Sequence, residues 1–249
     1  MNPLRARRWW LAAAAGLMLA CQLPLLGASL PEVIEHPAPD LRVDFSPFEA
    51  AGCQKDDSGW IRCPQGSPLD KLGCATLQPA SDLLGGLQPA DPIAVCVVRQ
   101  PDEMDDETFE QQESVYRVGG LFPVLYRYVI WRDGGFILLA NQQAVQQAFA
   151  PIESPQEALS YALALTNLDA DYDLQASRGM RYFTDTLEET HVQETSGGYA
   201  MNLFRYQFLG CGPHPTYQVI VTVGRDGSIS QGEPVKWFEN PEEDGLCAD

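Results

Sequence analysis

Ser154-Pro155-Gln156-Glu157-Ala158-Leu159-Ser160-Tyr161-Ala162-Leu163-Ala164-Leu165-Thr166 is the stretch that decides the fold. Ser154 and Glu157 make a capping box, and Pro155 sits at the first helical position, where a missing N–H costs nothing. The spacing predicts a helix running to about Thr166. Leu159, Ala162, Leu163 and Thr166 share one face, with Ala158, Tyr161 and Leu165 flanking it, so the helix should be mostly buried.

Strand signals lie on both sides of this helix. Upstream, Val124 to Trp131 and Phe136 to Ala140 are rich in aromatic and β-branched residues. Arg132-Asp133-Gly134-Gly135 between them supplies the positive-φ residues of a hairpin turn. A short helix is expected from Gln142 to Phe149, stopped by Pro151. Downstream the period switches from 3.6 to 2, with strands over Arg178 to Asp185 and Glu188 to Thr195. Gly197-Gly198 turns the chain into Tyr199 to Leu209, and Thr216 to Val223 alternates likewise. Arg225-Asp226-Gly227 then makes a hairpin into Ser228 to Gln231, and Val235 to Phe238 closes the sheet. The expected class is α+β: an antiparallel sheet with one main helix packed on it, preceded by a loop-rich, disulfide-stapled segment. In outline this resembles cystatin-like and PepSY-like proteins.

The first residues read as an address. Arg5, Arg7 and Arg8 precede an apolar run, Trp9 to Ala20, that ends at Cys21. This is the layout of a secretory signal. The run is short of the ~20 apolar residues a spanning helix needs. Met18-Leu19-Ala20-Cys21 resembles a bacterial lipobox, and the resemblance implies a diacylglycerol on the Cys21 thiol and membership of the lipoprotein class. Cleavage after Ala28, in Leu26-Gly27-Ala28-Ser29, would instead give a soluble secreted protein. Arg7-Arg8-Trp9-Trp10-Leu11 faintly resembles a twin-arginine signal, a route for folded passengers that suits a disulfide-rich product poorly. The chain therefore divides into a signal peptide (1–20), a proline-bearing, lipid-attached tether (21–44), a cysteine-rich segment (45–100), an acidic linker (101–113) and the α+β domain (114–249).

Cysteine and charge counts narrow the function. Of seven cysteines, six remain once Cys21 is lipidated or removed, an even number that in an exported chain reads as three disulfides. Proximity along the chain pairs Cys53 with Cys63, Cys74 with Cys96, and Cys211 with Cys247. No CxxC or HxxxH spacing exists, so neither a zinc site nor any other cofactor is expected. Without the three leader arginines, 13 basic side chains face 34 acidic ones, a charge of −21. Nucleic-acid binding needs clustered cations and is excluded. Contact with an anionic membrane should come through the lipid anchor alone.

Little chemistry can be read directly. Asp169, Asp171 and Asp173 alternate like calcium ligands, but the register then places Leu174 where the turn glycine belongs and Met180 where the bidentate acid belongs. Only His36, His191 and His214 are available as histidines, and no Gly-x-Ser-x-Gly elbow occurs. Trp60, inside the expected Cys53–Cys63 loop, is a candidate recognition side chain, although small disulfide domains more often bury such a residue. The expectation is a non-enzymatic binding or structural module with a protein or peptide partner. The alternative is an extracytoplasmic hydrolase with a dispersed carboxylate or His–acid site.

Overall fold

The computed structural model describes residues 29–101, 103–119 and 123–248; the expected signal peptide, the expected lipidation site Cys21 and the alternative cut after Ala28 lie outside them. The strands are β1 (Glu32–Ile34), β2 (Gln54–Lys55), β3 (Ile61–Arg62), β4 (Thr76–Pro79), β5 (Ile93–Arg99), β6 (Tyr116–Val118), β7 (Val124–Arg132), β8 (Gly135–Leu139) and β9 (Arg181–Tyr182). They continue with β10 (Thr186–Glu188), β11 (Val192–Thr195), β12 (Gly198–Tyr206), β13 (Gly210–Cys211), β14 (Pro215–Gly224), β15 (Ile229–Gln231), β16 (Val235–Glu239) and β17 (Cys247–Ala248). Among the described residues the helices are α1 (Ser46–Ala50), α2 (Pro68–Lys71), α3 (Asp106–Glu110), α4 (Gln142–Phe149) and α5 (Pro155–Leu165), with 3-10 turns at Asp82–Gly86 and Pro241–Glu243.

The expectation of one main helix on one antiparallel sheet is overturned. The protein is mostly β, with a seven-stranded sheet in the order β2-β3-β4-β5-β7-β6, where β8 also pairs with β7. A second sheet has six strands in the order β11-β12-β14-β16-β9, with β15 on β14. Two small ladders, β1-β10 and β13-β17, complete it. The physical reason lies in α5 itself. Ala158, Leu159, Tyr161, Ala162, Ala164 and Leu165 are all buried. A helix apolar nearly all round needs cover on more than one side, and one sheet cannot provide it. A single buried cluster accordingly runs from Ile93, Val95, Tyr128 and Ile130 of the first sheet, through α5, to Met201, Leu203, Val219 and Val221 of the second.

Local rules set the elements around that core. Ser154 Oγ accepts from the Glu157 amide, and the Glu157 carboxylate reaches back to accept from the Glu153 amide at 2.8 Å. Asp133 and Gly134 take φ of 53° and 79°, as a two-residue hairpin between β7 and β8 requires. At the second hairpin, Tyr161 Oη donates to the Gly227 carbonyl at 2.9 Å, fastening α5 to the turn between β14 and β15. Gly86 is where the 3-10 turn meets α5; a Cβ there would stand 2.5 Å from Ser160 Oγ.

The cysteine-rich segment covers the other face of the first sheet. Ala94 and Cys96 point to that side, opposite Ile93, Val95 and Val97, and join a cluster of Phe48, Cys53, Ile61, Leu69, Cys74 and Leu77. Burial on both faces explains the unbroken apolar run in β5. All three expected disulfides are present: Cys53–Cys63, Cys74–Cys96 and Cys211–Cys247. In the acidic stretch 101–113, α3 forms and buries Phe109. Residues 31–44 include β1, which runs parallel to β10 with Glu32 opposite Thr186 and Ile34 opposite Glu188. This pairing brings the N-terminal segment to the site described next.

Candidate functional site

The second sheet is buried on both faces over part of β12. Met201 and Leu203 face α5, while Asn202 and Phe204 face the segment 169–191, and Phe204 packs with Leu174 and Leu187 of that segment and with Trp237 of β16. Asn202 is 2 % exposed and organises that segment. Its Oδ1 accepts from the His191 amide at 3.0 Å, and its Nδ2 donates to the carbonyls of Glu188 and Glu189 at 2.8 and 2.9 Å. One side chain thus fixes the backbone at both ends of Glu188-Glu189-Thr190-His191.

Glu189 and Thr190, both buried, tie this turn to its neighbours. Glu189 accepts from the His36 amide at 2.8 Å with one carboxylate oxygen and from the Leu174 amide at 3.1 Å with the other. Thr190 Oγ1 accepts from the Asp171 amide at 3.0 Å. Three stretches of chain, at 34–36, 171–174 and 188–191, therefore converge through buried polar groups that are hydrogen-bonded, as burial demands.

What they present is a cluster of His36, Glu188 and His191, whose ligand-type atoms lie within 4.8 Å of one another. Glu188 Oε1 stands 3.2 Å from His36 Nε2 and 3.5 Å from His191 Nδ1. The imidazoles stack, with centroids 4.4 Å apart and planes 19° from parallel. His191 Nδ1 is buried and has no hydrogen-bond partner. The cluster borders an open cavity of about 210 Å³ whose walls include Pro37, Pro39, Leu159 and Tyr172. Burial, and then the charge of Glu189, push the Tyr172 hydroxyl up to about 12, so it stays protonated and able to donate. The arrangement offers two imidazoles and a carboxylate, suited to binding a cation or to moving a proton.

The residues singled out from sequence fare differently. Asp169, Asp171 and Asp173 do not converge. Asp169 forms a bridge to Phe204 through its backbone, and burial, then the charge of Asp171, raises its carboxyl pKa. Asp171 Oδ1 accepts from the Asp173 amide, and Asp173 Oδ1 from the Gln175 side chain, each at 3.0 Å. Trp60 is half-buried beneath the Arg99 guanidinium, 5.2 Å from its ring centroid, beside a groove that also touches Arg62 and Thr76. His214 is buried, its Nδ1 2.9 Å from the Gln207 carbonyl, as a structural tie. Sequence reasoning missed the His36–Glu188–His191 group. The available signal was the Glu188-x-x-His191 spacing, a close pair of ligand types that a search for CxxC and HxxxH passes over.

The paired cysteines mark an oxidising, extracytoplasmic setting. No helix among the described residues is long and apolar enough to cross a membrane. Compared with protein-family models, curated proteins and solved structures, the chain matches none.

Proposed function

We propose that this chain is an exported protein held at the outer face of a bacterial membrane by lipid on Cys21. It acts as a non-enzymatic binding module that takes a protein or peptide segment into the cleft beside His36 and His191. The observation that carries the export reading is the complete pairing of the six cysteines from Cys53 to Cys247, which suits a chain that folds where thiols are oxidised. Support for the cleft comes from its lining of proline rings, Leu159 and Tyr172 beside polar imidazoles, a mix of apolar wall and few polar anchors typical of ligand sites.

Intact mass of the protein from its native membranes, with and without reduction and alkylation, tests the export reading. The expected species begins at Cys21, carries acyl mass, and gains six alkyl groups only after reduction. A species beginning at Ser29 without lipid would make it a released protein, and alkylation before reduction would remove the disulfide argument. A second reading, an extracytoplasmic hydrolase, is favoured by the His–carboxylate cluster at the cavity wall. It predicts ester or peptide hydrolysis that is lost in a His191→Ala variant.

A further inference from the structure

We propose that His36, Glu188 and His191 bind one divalent transition-metal ion of the zinc type, leaving a coordination position open toward the cavity. The proposal goes beyond the binding-module reading and does not depend on lipid attachment. Two neutral imidazoles and a carboxylate are the donor set that zinc takes in open, three-ligand sites. Around an ion with bonds of about 2.0–2.2 Å, tetrahedral ligand atoms stand about 3.4 Å apart. Glu188 Oε1 lies 3.2 Å from His36 Nε2 and 3.5 Å from His191 Nδ1, so the donors already stand at about the spacing that such a site requires.

Two further observations point the same way. His191 Nδ1 is buried and makes no hydrogen bond; the group facing it is the Glu188 carboxylate at 3.5 Å, which places a ring nitrogen and an anionic oxygen side by side at the cavity wall. The backbones carrying the ligands are also fixed: Asn202 holds residues 188 and 191, and Glu189 holds the His36 amide. Such second-layer contacts orient metal ligands. The side chains remain 22–33 % exposed, so an ion has a way in. The net charge of −18 draws cations to the surface as a whole.

Capture of an ion requires two adjustments. As stacked, the in-plane lone pairs of the two rings run side by side, so one imidazole must turn about its Cβ–Cγ bond for both to converge. His191 Nε2 now sits 2.6 Å from the Gln193 amide nitrogen; with that ring nitrogen as acceptor, the ring proton is carried on Nδ1. Binding at Nδ1 moves that proton to Nε2, where the Gln193 amide, turned over, accepts it through its oxygen. The ion would join the segment after β1 to the turn after β10, adding a cross-link where the parallel ladder ends.

The test uses the full chain with its disulfides intact and any free thiol blocked by iodoacetamide, titrated with Co²⁺ and then with Zn²⁺ near pH 7.5. Expected are one Co²⁺ per chain with tetrahedral visible absorption, its displacement by one Zn²⁺, and imidazole NMR shifts at His36 and His191 but not His214. Loss of second-layer partners alone weakens metal sites by roughly 10–100-fold. His36→Ala and His191→Ala should therefore each weaken binding by at least about 100-fold, with far-UV circular dichroism unchanged. Glu188→Gln, which keeps the shape and a neutral oxygen, should weaken it by about tenfold or more. An Asp171→Asn/Asp173→Asn double variant should bind as the parent does. Absence of binding at 100 µM-scale Zn²⁺ (roughly that concentration), or retained binding in the His36→Ala/His191→Ala double variant, would overturn the proposal. Either result leaves the mass measurement of the previous section standing by itself.

Discussion

Replacing Asn202 isolates the side chain that assembles the site. Asn202→Leu keeps much of the volume but removes three hydrogen bonds, to the His191 amide and to the carbonyls of Glu188 and Glu189. Each backbone group left buried without a partner costs roughly 1–3 kcal/mol. Glu188 and His191 are partly exposed, so water relieves some of that loss, whereas Glu189 is buried. The sum is about 3–5 kcal/mol, a large share of the ~5–15 kcal/mol by which domains are stable. In a domain of this size it corresponds to a melting-point drop of roughly 6–20 °C. Asn202→Asp sharpens the test. It retains an acceptor for His191 but aims a carboxylate oxygen at two carbonyls, so it should be at least as damaging as leucine despite being the closest isostere. Urea denaturation followed by tryptophan fluorescence gives both numbers, with an unchanged slope showing that the unfolded state is unaltered. A loss below about 1 kcal/mol for Asn202→Leu would refute the view that this amide holds the turn in place.

Three further outcomes follow from the packing and charge. Gly86→Ala drives a Cβ to 2.5 Å from Ser160 Oγ and 2.7 Å from the Gln156 carbonyl; overpacking of this kind should lower stability by ~1–3 kcal/mol, read as a reduced urea midpoint. Removing Cys74–Cys96, a link across 22 residues between two fully buried cysteines, should cost about 3–4 kcal/mol in a Cys74→Ala/Cys96→Ala variant by the same assay. Glu239 forms an ion pair with Lys236 and accepts a hydrogen bond from Arg181, and these partners, Lys236 first, hold its carboxyl below the usual range despite the opposing effect of burial. The fold therefore favours the ionised form: this contribution is fully present above the unfolded pKa of ~4.3 and is lost as pH falls through the lower folded value. Urea midpoints measured at falling pH should drop less steeply in Glu239→Gln than in the parent.

Short-range features were legible in the sequence because short-range physics decides them. The proline and capping pair placed the start of α5 at Pro155, and α4 spans Gln142–Phe149 as its pattern predicts. Arg132-Asp133-Gly134-Gly135 turned where positive φ was called for. Cysteine proximity picked the three pairings among many. The division into two sheets was not legible. β2 and β3 are two residues each, too short for alternation to register, yet they extend β4 and β5 into a separate sheet. The stretch Arg178 to Asp185, expected as one strand, supplies only Arg181–Tyr182. The site was hidden for a different reason. His36 sits among prolines without periodic pattern and meets Glu188 across 152 positions of chain, a contact no local rule anticipates.

That same distance imposes an order of events on the folding chain. Residues 32–36 are among the first of the described residues to be synthesised, but β1 has no partner until β10 exists, and the His36 amide has no acceptor until Glu189 does, 153 positions later. Closing so long a loop is slow, and hairpins such as β7-β8 and β14-β15 form over far shorter separations. The N-terminal segment can therefore settle only after residues 186–189 have been made and placed. A chain truncated before residue 186 would lack both β10 and Glu189, and so would leave β1 without its ladder partner and the His36 amide without its acceptor.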